Sequence, residues 1–177
     1  MNYYVVETDK HKLIQKTAGV KARQDVETIF KWNNFKKIEI PCLIEGRENK
    51  TRLGKIKAHY DVYMLWKNAL KKIKKNDWIY IQFPLLEHTM LFSLLIKNLE
   101  KRGIHTSIII HDVEAIRFTL RNDVPLSRKI RMRFEEISSF KNCSKIIVHN
   151  EKMKSFMHEK WKIHKDKMDI LGIFDYL

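Results

Sequence analysis

The chain has 177 residues, of which 44% are hydrophobic, so it is long enough to form one compact domain with a buried core. It has only five glycines and three prolines, and no internal repeat or low-complexity tract, which excludes repeat architectures and extensive disorder. No window reaches the roughly 18 apolar residues of a membrane span, and the net charge of +14 predicts an acidic partner such as nucleic acid, anionic lipid or a phosphorylated small molecule.

Short apolar runs alternate with longer segments of helical spacing along the whole chain. The predicted strands are Asn2–Glu7, 36–44, Asp77–Pro84, His105–Asp112, 144–150 and 167–174. The predicted helices are 17–35, a long helix after the polar loop 45–54, 87–103 with Gly103 at its C′ position, 127–140 and 151–161. Such an alternation is typical of right-handed parallel βαβ units. The predicted fold class is therefore α/β, a Rossmann-like open parallel sheet with helices on both faces.

Two of these helices have a predicted inner face. On the long helix it consists of Ile56, Tyr60, Tyr63, Met64, Leu70 and Ile73. On 127–140 it consists of Ile130, Phe134 and Ile137, which alternate with Arg128, Lys129, Arg131 and Arg133. An ordinary amphipathic helix with a solvated basic face is one interpretation of this segment. A helix that lies on an anionic membrane is the other.

The two cysteines, Cys42 and Cys143, lie far apart and do not have the spacing of metal ligands. Cys143 directly precedes a predicted strand, where we expect a small buried thiol. The N-terminal residues do not show the pattern of a signal peptide. We therefore expect a cytoplasmic protein, with peripheral attachment to the inner face of the membrane as the alternative.

Several familiar signatures do not occur in the sequence. It contains no GxGxxG and no GxxxxGK[ST], so an NAD-type Rossmann site and P-loop chemistry are not expected. It also contains no HExxH, paired CxxC or GxSxG, which leaves metal-dependent hydrolysis and serine-hydrolase chemistry without support.

Polar residues follow three of the predicted strands at their carboxyl ends. They are Gln82 after the third strand, His111 and Asp112 after the fourth, and His149 and Asn150 after the fifth. In an open parallel sheet, ligands bind beyond the carboxyl ends of the strands. The sequence therefore predicts a ligand-binding site at this edge of the sheet.

Five segments of the chain resemble those of one enzyme family. They are "KTAGVKARQDV" after the first strand, "DWIYIQFP", "IIIHDVEAIRF", "IIVHNEKMK" and "LGIFDYL". Together they cover most of the chain in the expected order. They are similar to the N-terminal half of GT-B glycosyltransferases, and more narrowly to the bacterial glucosyltransferase 3-like and beta-1,6-galactofuranosyltransferase group.

The resemblance implies that residues 1–177 form a single acceptor-binding domain and that the donor-binding C-terminal domain is absent from this chain. It implies transfer of a hexosyl group to a glycan, glycolipid or glycoprotein acceptor in polysaccharide biosynthesis. The donor would be a nucleotide-diphosphate sugar, with UDP as the expected nucleotide and without a metal cofactor. A donor-binding domain or a partner subunit would complete the enzyme, because binding and leaving-group stabilisation are split between the two halves. Alone, the chain should be inactive or nearly so.

An inverting transfer needs a base for the acceptor hydroxyl and positive or dipolar groups for the departing diphosphate. Asp112 is the candidate base, and His111 is expected to orient the acceptor or to contact the sugar. Their alternative roles are a cap on the following turn and a packed histidine. The other assignments are Lys16, Thr17 and Tyr176 to the donor, and Gln82, Glu114, Arg117 and Asn150 to the acceptor. A helix cap for Thr17 or Asn150, and an ion pair between Glu114 and Arg117, are the structural alternatives.

Two other functions remain open at this point. The basic charge also suits a nucleic-acid-binding module, although the sequence contains no RRM, helix-turn-helix or KH pattern. The other possibility is a non-catalytic partner subunit of a glycosyltransferase, which should tolerate Asp112→Asn.

Overall fold

The computed structural model describes residues 1–8, 18–43, 51–117 and 123–172. Within these residues it contains one sheet of six strands in the order β2-β1-β3-β4-β5-β6, and every neighbouring pair is parallel. The strands are β1 (Asn2–Thr8), β2 (Lys36–Pro41), β3 (Trp78–Phe83), β4 (His105–Ile110), β5 (Lys145–Val148) and β6 (Met168–Ile170). The predicted open parallel sheet is confirmed.

Helices cover both faces of this sheet. They are α1 (Ala18–Trp32), α2 (Arg52–Ala69), α3 (Phe92–Lys101), α4 (Glu114–Arg117), α5 (Leu126–Met132), a π-helical turn (Arg133–Ile137), α6 (Ser138–Asn142), α7 (Glu151–Trp161) and a 3-10 turn (Lys165–Lys167). Neighbouring residues of β1 point to opposite faces of the sheet. Tyr4 packs on Val26 and Phe30 of α1. Val5 packs on the other face, in the larger hydrophobic cluster that includes residues of α2 and α3. Among the described helices, none is long and apolar enough to cross a bilayer.

The end of α3 fixes where β4 begins. Gly103 has a φ of +74°, a left-handed conformation that costs other residues roughly 1–2 kcal/mol. The N–H of Gly103 donates to the Glu100 carbonyl at 2.9 Å, and the N–H of Ile104 donates to the Leu99 carbonyl at 3.1 Å. This is the glycine-terminated helix end that the sequence predicts, and it lets the chain enter β4 directly.

The prediction for the inner face of α2 is wrong at two positions. Ile56 and Tyr60 are 65% and 53% exposed. The helix instead buries a stripe with a spacing of four residues, and its largest member, Trp66, contacts the ring of Phe92 at a centroid distance of 5.3 Å. The rest of the predicted face is buried or half-buried: Tyr63, Met64, Leu70 and Ile73.

The prediction for segment 127–140 is also wrong for two of its three apolar residues. Ile130 is 40% exposed and Phe134 is 49% exposed, whereas Ile137 packs against the core as expected. A π-helical turn interrupts the expected α-helix and changes which side chains face inward. Glu135 and Glu136 are fully buried in this turn, and the polar partners that hold them come from other elements, which an apolar spacing cannot show.

Cys143 lies two residues before β5, and its thiol is buried, as the sequence predicts. Burial raises its pKa to about 12. A thiol with so high a pKa is an unreactive core group at neutral pH.

Candidate ligand-binding site

A cavity of about 370 Å³ opens at the carboxyl ends of β1, β3 and β4. Its polar lining includes Glu7, Arg23, Gln82, His111 and Asp112. β1 and β3 are neighbours in the sheet, but the chain leaves β1 toward β2 on one side and leaves β3 toward β4 on the other. Such a topological switch point is where open α/β sheets bind ligands. The volume lies within the range of small-molecule sites, about 300–1,000 Å³.

His111 and Gln82 are brought together at this cavity. The main-chain N–H of His111 donates to the Phe83 carbonyl at 2.8 Å, which continues the pairing of β3 with β4. The Nε2 atom of His111 lies 2.7 Å from Gln82 Oε1. Burial, with a contribution from the charges of Arg23 and His149, lowers the pKa of His111 to about 4. The imidazole is therefore neutral at physiological pH, and when Nε2 donates to Gln82, Nδ1 keeps its lone pair as an acceptor.

Asp112 borders the same cavity and also organises the chain that follows it. Its Oδ1 atom accepts the N–H of Val113 at 2.8 Å, and its Oδ2 atom forms an ion pair with Arg117 at 2.6 Å. The Oδ1 contact orders the start of the turn before α4, but it reaches only the N–H of the next residue, whereas an N-cap bond reaches the second or third helical residue. An ionised carboxylate offers about four acceptor positions, so Asp112 keeps capacity for a ligand hydroxyl.

Glu7 and Arg23 line the cavity, and the sequence analysis missed both. The buried Glu7 carboxylate accepts the N–H of Leu86 at 2.8 Å and that of Glu87 at 3.2 Å. Burial raises the pKa of Glu7 to about 7, although these two N–H groups and the charge of Arg23 act in the opposite direction. The Arg23 guanidinium donates to the Pro84 carbonyl, and burial lowers its pKa. The cavity therefore contains a carboxyl that exchanges its proton near neutral pH.

A signal for Glu7 was present in the sequence. Glu7 lies at the carboxyl end of the first predicted strand, so the rule that indicated Gln82 and His111 also applies to it. Arg23 has no comparable signal, because it lies within α1 and no apolar spacing marks it as a site residue.

Glu114, Arg117 and Asn150 lie outside the lining of the cavity among the described residues. Glu114 forms an ion pair with Arg131 of α5, and both side chains are mostly buried. Since Arg117 pairs with Asp112, each member of the hypothesised Glu114–Arg117 pair has another ionic partner. The Asn150 side chain accepts the N–H of Met153 at 2.9 Å and so caps α7, which was its alternative role.

A buried polar network lies next to this site. The Oε1 atom of Glu135 is 2.5 Å from His88 Nδ1 and 3.3 Å from Arg131. Glu136 accepts the N–H of Ala115 at 2.8 Å, and burial raises its pKa to about 7. This network joins α4, which follows Asp112, to the π-helical turn.

The remaining assigned residues, Lys16, Thr17 and Tyr176, lie outside the described residues. Within the described parts of the chain, no group of three or more His, Cys, Asp or Glu side chains is arranged to hold a metal ion.

A family model described as "Glucosyltransferase 3-like, N-terminal domain" matches residues 2–173 of the chain. The match includes all six strands of the sheet and the residues that line the cavity. No curated protein matches the chain.

Proposed function

Because the chain belongs to the glucosyltransferase 3-like N-terminal domain family, we propose that it is the acceptor-binding half of a sugar transferase. The proposed reaction moves a hexosyl group from a nucleotide-diphosphate sugar to a hydroxyl of a glycan, glycolipid or glycoprotein. A second domain, or a partner subunit, holds most of the donor.

The observation that carries this proposal is the group of polar side chains at the switch-point cavity. Gln82 and Glu7 offer hydrogen-bonding groups, and Trp66 and Ile81 supply apolar walls. A few polar groups set among apolar walls are typical of small-molecule sites, where the polar groups fix the orientation of the ligand. The cavity also lies on the edge of the sheet where an open α/β domain meets its ligand.

In an inverting transfer, the oxygen of the acceptor hydroxyl attacks the anomeric carbon of the donor. A new glycosidic bond forms while the bond between the anomeric carbon and the diphosphate oxygen breaks, and the nucleoside diphosphate leaves with the electron pair. The hydroxyl proton passes to Asp112, the proposed general base. Neutral His111, whose Nε2 donates to Gln82, accepts a hydrogen bond from an acceptor hydroxyl at Nδ1 and so fixes the orientation of the acceptor.

On the donor side, we propose that Lys16 and Thr17 contact the diphosphate. They directly precede α1, and the free N–H groups at a helix N-terminus favour phosphate. Tyr176 is the proposed contact with the donor near the second domain.

The test is a transfer assay with this chain joined to its donor-binding domain, or mixed with the partner subunit that carries it. Release of nucleoside diphosphate from UDP-sugars is measured for the unchanged protein, for Asp112→Asn and for the control Glu159→Gln, which changes an exposed glutamate of α7. We expect Asp112→Asn to lower kcat by about 10²–10⁴-fold and the control to retain full activity.

Binding of the acceptor by this chain alone is measured separately, by saturation-transfer NMR. We expect the acceptor to bind equally well to the unchanged chain and to Asp112→Asn. Full transfer by Asp112→Asn would contradict the proposed base and favour a non-catalytic partner subunit. Acceptor binding by the second domain alone would contradict the proposed division of roles.

A further inference from the structure

Large apolar side chains are exposed on α5 and the turn that follows it. Leu126 is 72% exposed, and Ile130 and Phe134 share its side of the segment at intervals of four residues. Basic side chains lie between them, and Lys129 and Arg133 are both exposed. The first turn of α5 contains no acidic residue.

The N-terminal half of α2 also exposes large apolar side chains with basic residues beside them. Leu53 is 79% exposed, and Ile56 and Tyr60 continue its face at intervals of three and four residues. The exposed residues Lys55 and Lys57 flank this stripe, and the first turn of α2 has no acidic residue either.

The two apolar stripes belong to neighbouring parts of one helical layer. The Thr89 hydroxyl donates to the His59 carbonyl of α2 at 2.9 Å. The preceding residue, His88, contacts Glu135 of the π-helical turn at 2.5 Å and Arg131 of α5 at 3.2 Å. Two consecutive residues thus connect α2 with α5 and the π-helical turn. We call the combined surface of 52–60 and 126–134 the α2–α5 surface.

We propose that the α2–α5 surface docks on an anionic lipid bilayer. Interfacial helices combine an apolar face, which enters the boundary between headgroups and acyl chains, with Lys and Arg that attract anionic headgroups. Exposed leucine and isoleucine side chains in contiguous groups indicate an interaction surface. The protein as a whole is strongly cationic, with a net charge of +14, which adds a long-range attraction to such a membrane.

The basic charge and the aliphatic side chains disfavour the other occupants of this surface. A second copy of the chain would bring lysines and arginines against their own counterparts, and like charges at an interface are unfavourable. Single-stranded nucleic acid is bound through stacking on aromatic rings, whereas most of the apolar side chains of the α2–α5 surface are aliphatic. An anionic bilayer satisfies both the apolar and the basic groups.

The test is vesicle flotation with the full chain, without donor or acceptor present. We compare vesicles of phosphatidylcholine alone with vesicles that also contain phosphatidylglycerol. We expect binding only to the anionic vesicles. We also expect this binding to weaken as the ionic strength rises from about 0.1 M to about 1 M, because the Debye length falls from about 10 Å to about 3 Å.

Two paired variants test the surface itself. Lys129→Gln with Arg133→Gln should weaken binding about 25-fold, since each basic residue near an anionic membrane contributes a factor of about five. The matched control, Lys152→Gln with Lys160→Gln, removes the same charge from exposed positions of α7. It should change binding by less than about twofold, because these lysines lie outside the α2–α5 surface. Ile130→Ser with Phe134→Ser should also weaken binding, and both side chains are exposed enough for the variant to fold.

Three results would overturn this assignment. One is failure of the unchanged chain to bind anionic vesicles, and another is an equal loss of binding in the α7 control. The third is concentration-dependent self-association that Ile130→Ser with Phe134→Ser abolishes, which would assign the surface to a second copy. Because no sugar is present, none of these results tests the proposed transferase activity, which is measured in the transfer assay.

Discussion

Replacing Glu7 by glutamine removes a buried carboxyl that ionises close to neutral pH. Burial raises the pKa of Glu7 from 4.5 to about 7 in the folded protein. Between these two values the folded protein holds a proton that the unfolded chain has lost, so the free energy of unfolding falls as the pH rises. Each pKa unit corresponds to about 1.4 kcal/mol. Ionisation of Glu7 should therefore remove about 3 kcal/mol of stability between pH 4 and pH 8.

Glutamine keeps the shape of this side chain and an oxygen that can accept the N–H of Leu86 or Glu87. It carries no titratable proton. The NH2 group must face the other N–H donor, so Glu7→Gln should be less stable than the unchanged protein at pH 5 by about 1–3 kcal/mol. This deficit should shrink by about 2–3 kcal/mol between pH 5 and pH 8, because only the unchanged protein loses stability through ionisation of Glu7. Glu136 has a raised pKa with the same sign, so Glu7→Gln should remove part of the pH dependence and leave the rest.

The assay is urea unfolding followed by tryptophan fluorescence at several pH values from 5 to 8. Exposed Glu159, changed to glutamine, is the control and should leave the pH dependence unaltered. The reasoning would be refuted if Glu7→Gln lowered stability equally at all pH values. That result would mean that Glu7 is an ionised partner of Arg23 throughout this range.

Three further changes, together with one control substitution, test the structure at other points. Arg131→Met should lower the free energy of unfolding by about 3–5 kcal/mol, because it leaves the carboxylates of Glu114 and Glu135 buried without this partner. Arg133→Met, on the exposed side of the same segment, should change it by less than about 0.5 kcal/mol in the same urea titration. Gly103→Ala should lower the thermal midpoint, since a left-handed residue with a Cβ costs about 1–2 kcal/mol and the added carbon would lie 2.8 Å from Lys75 Cγ; an unchanged midpoint would contradict this. Asn150→Ala should cost about 1 kcal/mol through loss of the α7 cap and leave acceptor affinity unchanged, whereas a loss of affinity would place Asn150 in the site.

The sheet was predictable because its central strands are continuous apolar runs. Ile108, Ile109 and Ile110 are buried on both faces of the sheet, which is what a parallel strand between helical layers requires. The helix end at Gly103 was equally visible, because a left-handed residue selects glycine. These features depend on local sequence, so the amino-acid sequence alone indicates them.

Part of the site was predictable from strand ends alone. Gln82 and His111 were expected at one edge of the sheet, and their side chains do meet there. The position of the cavity was not predictable in the same way. It depends on β1 lying beside β3, although β2 comes between them in the chain. That neighbour relation brings Glu7 and Arg23 to the same cavity as His111.

The errors in the prediction for segment 127–140 have a different cause. A spacing rule assumes that apolar side chains turn inward and charged ones turn outward. Here Glu135 and Glu136 turn inward because His88, Arg131 and the N–H of Ala115 compensate them. These partners come from several elements, so their effect depends on the tertiary structure.

Segment 126–134 forms part of the α2–α5 surface and also contacts the elements that lead to the cavity. Arg131 points inward to Glu114 in α4, while Ile130, its neighbour in sequence, is exposed on the surface. α4 begins two residues after Asp112, and its last residue, Arg117, pairs with the Asp112 carboxylate. Two ion pairs, one at each end of α4, thus connect α5 with Asp112. The Arg131–Glu114 pair is mostly buried and cannot rearrange without leaving a charge unpaired, so it holds α5 against α4. The Asp112–Arg117 pair is exposed to solvent and adds little to this coupling.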